Sequence, residues 1–357
     1  MSIILINMIG TVYKIHSDFY YVMPSGKNGD TALVECKLRE ILKKKKEKIT
    51  VGDFVEVEDN NAIVKILDRK NSCKRPAVSN LDLMLVVCAL MEPDLDFIQL
   101  NRYLTFLKYH KIPVLLCFNK DDLADEPELS FMREKISNIY KPLGYEIIFT
   151  SALNKDGLEE LKKSIKGKTI ALTGQSGVGK SSILNALNPK FNLRTKNVSD
   201  KLKRGVHTTR HCEILEFDDF KIIDTPGFSR LTFDFILPKD LGDYFDEIKE
   251  LKQGCRYSDC LHILGEDEGC NVIENLDKID ISRYESYTEF LEEAKKFKEK
   301  VTYEGTKEET SSKTTNNKNF VKISTKKRVH SRRKTNQTTK NLLLEHNTFK
   351  DDFGEEE

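Results

Sequence analysis

The first 70 residues alternate short stretches of β-branched and aromatic side chains with turn residues. Runs of this kind are typical of short strands. Four or five such strands close together favour a small barrel, and we expect an OB-fold, whose open face commonly binds RNA. The segment from Arg69 to Pro76 indicates a linker. The predicted strands are Ile9–His16, Phe19–Met23, Thr31–Leu38, Asp53–Glu58 and Ala62–Leu67.

Longer apolar runs alternate with helical patterns in the middle of the chain. Leu81–Leu90 and Ile112–Phe118 are nearly continuous apolar runs, typical of strands buried on both faces of a parallel sheet. Between them, Ile98–Tyr109 has helical spacing. The alternation predicts an α/β domain. Further strands are predicted at Glu146–Phe149, Thr169–Thr173, Cys212–Phe217 and Phe220–Ile223, and further helices at Leu158–Ile165 and Ser182–Leu187.

The C-terminal part begins with an amphipathic helix near Tyr284–Phe297 and then changes to Ser, Thr, Asn and Lys. From Thr310 to Lys340 the chain has ten Lys or Arg and no acidic residue. Such a segment buries too little apolar surface to fold alone. We expect a disordered arm that binds an RNA backbone, or alternatively a solubilising tail. The acidic end, Asp351 to Glu357, would mask the arm.

Length and charge limit the class of protein. A chain of 357 residues exceeds one ordinary core, so several domains are expected. Charged residues make up 32% and the net charge is +1, which excludes a uniformly basic nucleic-acid coat. The basic loop Lys43–Lys46 is either a solvated loop or an RNA contact. Met1 to Gly10 is apolar but lacks the basic region of an export signal, so we expect a cytoplasmic, reducing setting and no membrane.

A complete G-x-x-x-x-G-K-[ST] phosphate loop follows the predicted strand Thr169–Thr173 and opens a predicted helix. That strand–loop–helix context supports the motif. Backbone N–H groups of the loop and the helix N-terminus would surround a polyphosphate. Lys180 would reach the β- and γ-phosphates, and the Ser181 hydroxyl would bind Mg²⁺. The residues predicted to bind nucleotide here are Gly174, Gln175, Ser176, Gly177, Val178, Gly179, Lys180, Ser181 and Ser182.

A second motif predicts which base is bound. An N-K-x-D pattern follows the strand that ends at Phe118, and its residues are Asn119, Lys120, Asp121 and Asp122. A carboxylate at Asp122 accepts from both the ring N–H and the exocyclic amine of guanine, whereas adenine offers no matching pair of donors. Asn119 and the Lys120 stem would brace the loop and cover the base. Ser151 and Ala152, after the next strand, resemble the segment that contacts the guanine carbonyl.

The stretch from Asn197 to Arg210 is polar and contains glycine, as expected of a switch loop that closes on Mg²⁺. We prefer Thr209 over Thr208 as its magnesium ligand. Beyond it, Asp224 begins a D-T-P-G sequence. There Asp224 would hold Mg²⁺ through water and the Gly227 N–H would contact the γ-phosphate, although D-T-P-G alone also fits a plain turn.

Three cysteines and a histidine lie within sixteen residues. Thiolates and an imidazole in this number are the ligands of a closed tetrahedral zinc site. We therefore predict one structural Zn²⁺ on Cys255, Cys260, His262 and Cys270. The other five cysteines lie apart, mostly in apolar strands, and we interpret them as small core residues. They are Cys36, Cys73, Cys88, Cys117 and Cys212.

The order of the motifs is unusual, because N-K-x-D and Ser151-Ala152 precede the phosphate loop instead of following D-T-P-G. Termini of compact domains lie close together, so joining them and opening the chain elsewhere preserves the site. With a small barrel before and a Cys/His cluster after, residues 9 to 300 resemble the RsgA (YjeQ) family of circularly permuted GTPases.

The resemblance implies three folded domains: an OB-fold at 1–72, a permuted P-loop GTPase domain at 73–232 and a helical zinc-binding domain at 233–300. The composition adds a disordered tail at 301–357. The resemblance also implies GTP hydrolysis stimulated on the small (30S) ribosomal subunit during its late maturation, with Mg²⁺, by a protein that we expect to be a monomer.

One position departs from ordinary GTPases: the residue after D-T-P-G is Phe228, where many carry a water-orienting Gln. A phenyl ring cannot position a water. His207 in the switch would then do so, or a group from the ribosome; His207 as a solvated loop residue is the alternative. Two rival functions stay open. One is an RNA-binding assembly chaperone that uses GTP only as a conformational ligand, and the other is an ATP-dependent enzyme.

Overall fold

The chain divides into two compact units, Met1–Leu231 and Thr232–Glu357. Each is treated below by itself. The computed structural model describes residues 8–26, 32–40, 42, 48–74, 76–123, 126–188, 212–217, 219–224, 231, 233, 235–265, 269–303, 312–315 and 318–321.

Five short strands at the N-terminus close into a barrel. They run in the order β1-β2-β3-β5-β4, and β4 pairs back onto β1, so the sheet has no open edge. Val12, Val22 and Ile63 fill the interior and are fully buried. The barrel predicted from the short alternating strands is confirmed. The strands are β1 Met8–His16, β2 Phe19–Pro24, β3 Val34–Leu38, β4 Phe54–Val57 and β5 Ala62–Ile66.

The prediction of a plain linker at 69–76 is wrong. Two strands, β6 (Ser72–Lys74) and β7 (Ala77–Ser79), pair antiparallel across it. Asn71 explains why a polar segment is ordered: its side-chain amide donates to the Leu81 carbonyl at 2.8 Å and accepts from the Leu81 N–H at 2.9 Å. The polar side chain here forms hydrogen bonds to buried backbone groups instead of to water. Composition alone does not distinguish such an ordered polar segment from a solvated linker.

A six-stranded sheet forms the second part of the first unit, in the order β10-β9-β8-β11-β13-β12. Its strands are parallel except β12. All seven residues of β8 are buried, as its continuous apolar sequence predicts. The elements are β8 Leu83–Ala89, α1 Phe97–Tyr109, β9 Val114–Asn119, α2 Glu126–Tyr140, β10 Glu146–Phe149, α3 Leu158–Ile165, β11 Thr169–Thr173, α4 Lys180–Leu187, β12 Glu213–Glu216 and β13 Lys221–Asp224.

The barrel and this sheet are joined without a break. Strand β1 pairs antiparallel with β12, which makes one sheet of 11 strands. A separate contact ties the barrel to the β6–β7 hairpin and centres on the fully buried Asp53, just before β4. Its carboxylate accepts from Arg69 Nε at 2.6 Å, from the Thr50 N–H at 2.7 Å and from Ser79 Oγ at 2.5 Å. A buried charge is stable only when paired and hydrogen-bonded in this way.

The second unit is helical around an aromatic core that includes Phe233, Phe245 and Phe290. The C-terminal helix is longer than the sequence predicts. Among the described residues, no helix is long and apolar enough to cross a bilayer. The elements are a 3₁₀ helix Pro238–Tyr244, α5 Asp246–Leu251, a 3₁₀ turn Lys252–Gly254, α6 Asn271–Glu274, a 3₁₀ turn Leu276–Lys278, α7 Ile281–Tyr303, and the paired strands β14 Ser312–Thr315 and β15 Lys318–Val321. The remainder of the predicted arm lies outside the described residues.

Candidate nucleotide site and metal centre

The phosphate loop joins the end of β11 to the start of α4 and is shaped by glycines. Gly174 has φ 142°, and a Cβ there would lie 2.0 Å from the Val87 carbonyl oxygen. Gly179 has φ 93°, and its Cβ would lie 2.2 Å from Asn119 Nδ2. Both positions therefore require glycine, for conformation and for space. The loop backbone consequently lies against the ends of two neighbouring strands, β8 and β9.

Lys180 is held inside this loop. Its Nζ donates to the carbonyl oxygens of Gly174 at 2.7 Å and Gln175 at 2.6 Å. Burial lowers the pKa of the Lys180 ammonium from its ordinary value. The ammonium therefore lies within the phosphate loop, at the N-terminus of α4, where backbone N–H groups and the helix dipole favour an anion.

Asn119, at the carboxyl end of β9, connects three segments through one amide. It is 2% exposed. Its Nδ2 donates to the Val178 carbonyl of the phosphate loop at 2.9 Å. Its Oδ1 accepts from the Ala152 N–H at 3.1 Å and from Thr150 Oγ1 at 3.3 Å. The structure thus brings the N-K-x-D strand, the 150–152 segment and the phosphate loop together.

The residues predicted to recognise the base lie next to this junction. Ser151 Oγ donates to Asp122 Oδ1 at 2.5 Å and accepts from the Asn154 N–H at 3.0 Å. A carboxylate has about four acceptor positions, so one hydroxyl leaves capacity for two donors from a ligand. The neighbouring Asp121 is engaged elsewhere, because Arg133 Nε of α2 donates to it at 3.0 Å.

Lys120 adopts a left-handed φ of 65°. Its Nζ donates to the Glu92 carbonyl in the loop after β8. The stem of Lys120 is thereby directed across the edge of the sheet where the motifs meet.

Two oxygen side chains mark the candidate magnesium position. Ser181 lies in the first turn of α4 and is 9% exposed. Asp224 ends β13, next to β11 in the sheet. Burial, and secondarily the charge of Glu213, raises the pKa of Asp224 to about 6. A carboxylate in this environment is favoured in its charged form by a nearby cation, and hydroxyl and carboxylate oxygens are suitable ligands for Mg²⁺.

Three predicted site residues lie outside the described residues: His207, Thr209 and Gly227. Phe228 also does. Their predicted roles remain predictions.

The predicted metal ligands form one cluster in the second unit. The four ligand atoms of Cys255, Cys260, His262 and Cys270 lie within 4.8 Å of one another. His262 Nδ1 is 3.6 Å from Cys255 Sγ and 3.4 Å from Cys270 Sγ, and the two sulfurs are 3.8 Å apart. Ligands of a tetrahedral zinc, at about 2.3 Å for sulfur and about 2.0–2.1 Å for nitrogen, would be separated by about 3.5–3.8 Å. The cluster could therefore hold a metal.

Two tyrosines of α7 support the loop that carries His262. Tyr284 Oη donates to the His262 carbonyl at 3.0 Å and accepts from the Leu264 N–H at 3.1 Å. Tyr287 Oη donates to the Leu261 carbonyl at 2.8 Å. Sequence reasoning missed this support. The available signal was two tyrosines three residues apart, which share one helix face.

The remaining cysteines are mostly core residues. Cys36, Cys73, Cys88 and Cys117 are buried, whereas Cys212 is half-buried. Burial raises the pKa of Cys88 and of Cys117 to about 12. These two thiols are therefore protonated at neutral pH, which is unfavourable for metal binding or nucleophilic chemistry.

The space between Gly179 and Asn119 yields a test. Gly179→Ala would force the Asn119 amide away from the phosphate loop, and we expect guanine nucleotide affinity to fall by about 100-fold or more. Gly144→Ala is the matched control, because Gly144 also has a positive φ (82°) but nothing within 4 Å of the added methyl. Titration of a fluorescent GDP analogue measures both variants. Equal affinities would contradict the structural coupling.

Comparison with known proteins identifies the family. Models described as RsgA GTPase and RsgA N-terminal domain match residues 66–234 and 9–63. A model described as 50S ribosome-binding GTPase matches residues 169–303, which begin at β11.

The match to this chain covers nearly the whole length of its relatives. The small ribosomal subunit biogenesis GTPase RsgA of Agathobacter rectalis is 38% identical over 301 residues, which are 81% of this chain and 98% of that protein. The Geobacillus protein of the same name is 39% identical over 295 residues, with the same two shares.

Solved structures agree. The crystal structure of YjeQ from Thermotoga maritima has a TM-score of 0.68 and 34% identity, and the match covers 81% of this chain and 99% of that one. YloQ, described as a circularly permuted GTPase, has a TM-score of 0.67 and 29% identity, with 81% and 96% covered. The barrel, the permuted order of the motifs in the sheet and the similarity to these relatives agree with one another, and the chain belongs to the RsgA family of GTPases.

Proposed function

We propose that the protein hydrolyses GTP to GDP and phosphate during late maturation of the small ribosomal subunit, and that the subunit stimulates hydrolysis. The relatives are named small ribosomal subunit biogenesis GTPases, which supports the subunit as partner. The observation that carries the proposal for this chain is the Asn119 amide, whose bond to Val178 holds the N-K-x-D loop against the phosphate loop. One nucleotide can then contact both motifs.

In this proposal each end of the nucleotide has its own recognition. Asp122 accepts from the guanine ring N–H and amine, while Ser151 keeps the carboxylate oriented. The loop from Gly174 to Gly179 surrounds the phosphates with N–H groups, and Lys180 neutralises their charge. Ser181 and Asp224 would hold Mg²⁺, with Thr209 and Gly227 completing the site. Bound Mg²⁺ would neutralise charge on the β- and γ-phosphates.

We further propose that His207, or a group of the subunit, positions the attacking water. Phe228 stands where many GTPases have a water-orienting Gln, so a second residue must supply this role. Hydrolysis in the absence of the subunit is then slow.

Partners and boundaries follow from the same proposal. The barrel and the basic segment from Thr310 to Lys340 would bind rRNA, because clustered Lys and Arg neutralise phosphates. We also propose domain boundaries at 72, 232 and 300. The separate family models at 9–63 and 66–234 support a boundary between the barrel and the GTPase domain, and the division after Leu231 supports the one at 232. We propose that the protein is a cytoplasmic monomer. The barrel also supports the alternative of an RNA-binding chaperone with GTP as a conformational ligand.

We also propose that Cys255, Cys260, His262 and Cys270 hold one structural Zn²⁺. The separations among Cys255, His262 and Cys270 support this assignment, since they match the edges of a tetrahedron of thiolates and imidazole, and Cys260 lies within 4.8 Å of them. Four protein ligands close the site, so the metal would stabilise the fold of the second unit rather than activate a substrate.

The first test is GTP turnover with increasing amounts of purified small subunits. We expect the rate to rise by roughly 100-fold or more, as when a partner completes a phosphoryl-transfer site. His207→Ala should lose most of that rise if His207 positions the water. A rate that stays flat while the protein binds the subunit would favour the chaperone. An unchanged stimulated rate in His207→Ala would remove His207 from the mechanism.

Base recognition has its own test. Asp122→Asn keeps an oxygen that accepts from Ser151 but replaces the other acceptor oxygen by an NH₂ donor. The affinity for GTP should therefore fall by about 100-fold or more. Xanthosine triphosphate carries a carbonyl in place of the guanine amine, so it should bind the variant better than it binds wild type. Asp121→Asn is the control, because Asp121 is bound to Arg133. Competition binding measures the ratio of the two affinities. An unchanged ratio in Asp122→Asn, or equal competition by ATP, would refute guanine recognition.

The zinc proposal predicts one zinc per chain, measured by atomic emission on protein purified without added metal. Cys255→Ser should lose the zinc and lower the unfolding temperature of the second unit, because metal binding contributes to folding. Cys36→Ser, in the barrel core, is the control and should keep the zinc. Wild-type protein that is folded and contains no metal would contradict the proposal.

A further inference from the structure

A bulge in β1 directs a barrel residue at the nucleotide-binding half of the molecule. The pairing of β1 with β2 shifts register between Val12 and Lys14, which leaves Tyr13 as the extra residue. Bulges re-aim side chains. Tyr13 is 3% exposed, and its hydroxyl donates to Glu216 at the end of β12. Lys221 of β13 donates to the Tyr13 oxygen at 2.6 Å and pairs with Glu216 at 2.8 Å.

The next residue of β1 holds the other end of β12. Lys14 lies directly opposite Glu213 in the ladder, and its Nζ is 3.2 Å from Glu213 Oε2. Two consecutive residues of the barrel, Tyr13 and Lys14, therefore contact both ends of the four-residue strand β12.

Glu213 in turn lies directly opposite Asp224 in the ladder between β12 and β13. Opposite side chains in such a pair have Cβ atoms about 4.5–5.5 Å apart, and like charges there repel. The described residues thus form a row across three strands: an ammonium on the barrel, a carboxylate on β12 and the carboxylate assigned to Mg²⁺ on β13.

We propose that Lys14 of the barrel is a positioning residue for the magnesium site, which it affects by neutralising and retaining Glu213, the carboxylate beside Asp224. This inference rests on the proposed function. With the pair intact, the Lys14 ammonium offsets part of the negative charge that Glu213 places beside Asp224. If Lys14 moved away from Glu213, the full negative charge of Glu213 would act on the cation at Asp224.

The charges predict effects of opposite sign. Lys14→Met leaves Glu213 unpaired, so Mg²⁺ should bind more tightly. Glu213→Gln leaves Lys14 unpaired, so Mg²⁺ should bind more weakly. A double variant lacks both charges and should resemble wild type. Each single shift should be about two- to fivefold, because the pair is partly exposed (43% and 30% for the two side chains) and screened by solvent and salt.

The experiment measures the release rate of a fluorescent GDP analogue from the full-length chain as free Mg²⁺ is varied. Lys14→Met should lower the Mg²⁺ concentration at which release is half-maximally slowed, and Glu213→Gln should raise it. Lys14→Arg should restore the wild-type value. Lys65→Met is the matched control, since Lys65 forms a comparable exposed pair with Glu56 at 3.4 Å within the barrel.

A structural defect would weaken Mg²⁺ binding in both single variants. Tighter Mg²⁺ binding in Lys14→Met therefore distinguishes an effect of charge from a loss of structure. No shift, or a shift to higher Mg²⁺ in Lys14→Met, overturns the inference while the proposed function stands. Wild-type protein whose GDP release does not respond to Mg²⁺ would instead refute the magnesium site of the proposed function.

Discussion

The side-chain amide of Asn119 is the contact on which the nucleotide site depends. It is buried at the end of β9, donates to Val178 and accepts from Ala152 and Thr150. A buried amide that lost these partners would cost the free energy of unsatisfied polar groups. The contact also explains Gly179, because any Cβ at that position would occupy the space of the amide. The segments proposed to recognise the base and to bind the phosphates are therefore held in one fixed geometry.

The order of segments along the chain matters little for this geometry. Strand β11 comes late in the first unit but lies inside the sheet, between β8 and β13. Parallel strands present their carboxyl ends at one edge, where ligands bind in α/β sheets. Asn119, Gly174 and Asp224 follow or end such strands and so meet at that edge. A permuted chain can keep the site because the sheet, rather than the connections, positions the motifs.

Local patterns predicted much of the fold. Alternation in β1 and β2, the apolar run of β8 and the glycines around Lys180 each depend on neighbours in sequence. Long-range contacts were missed, since their partners are distant along the chain. The β6–β7 hairpin depends on Asn71 bonding to Leu81, and the bulge at Tyr13 becomes meaningful only beside Glu216. The contacts of Tyr284 and Tyr287 with the His262 loop are also long-range along the chain and were missed for the same reason.

The most direct test of the account is an experimental structure with Mg²⁺ and a non-hydrolysable GTP analogue. We expect one nucleotide whose guanine N1 and amine lie about 3 Å from the Asp122 carboxylate, while its β- and γ-phosphates contact Lys180. A base bound away from Asp122 with its phosphates still in the loop would contradict the account.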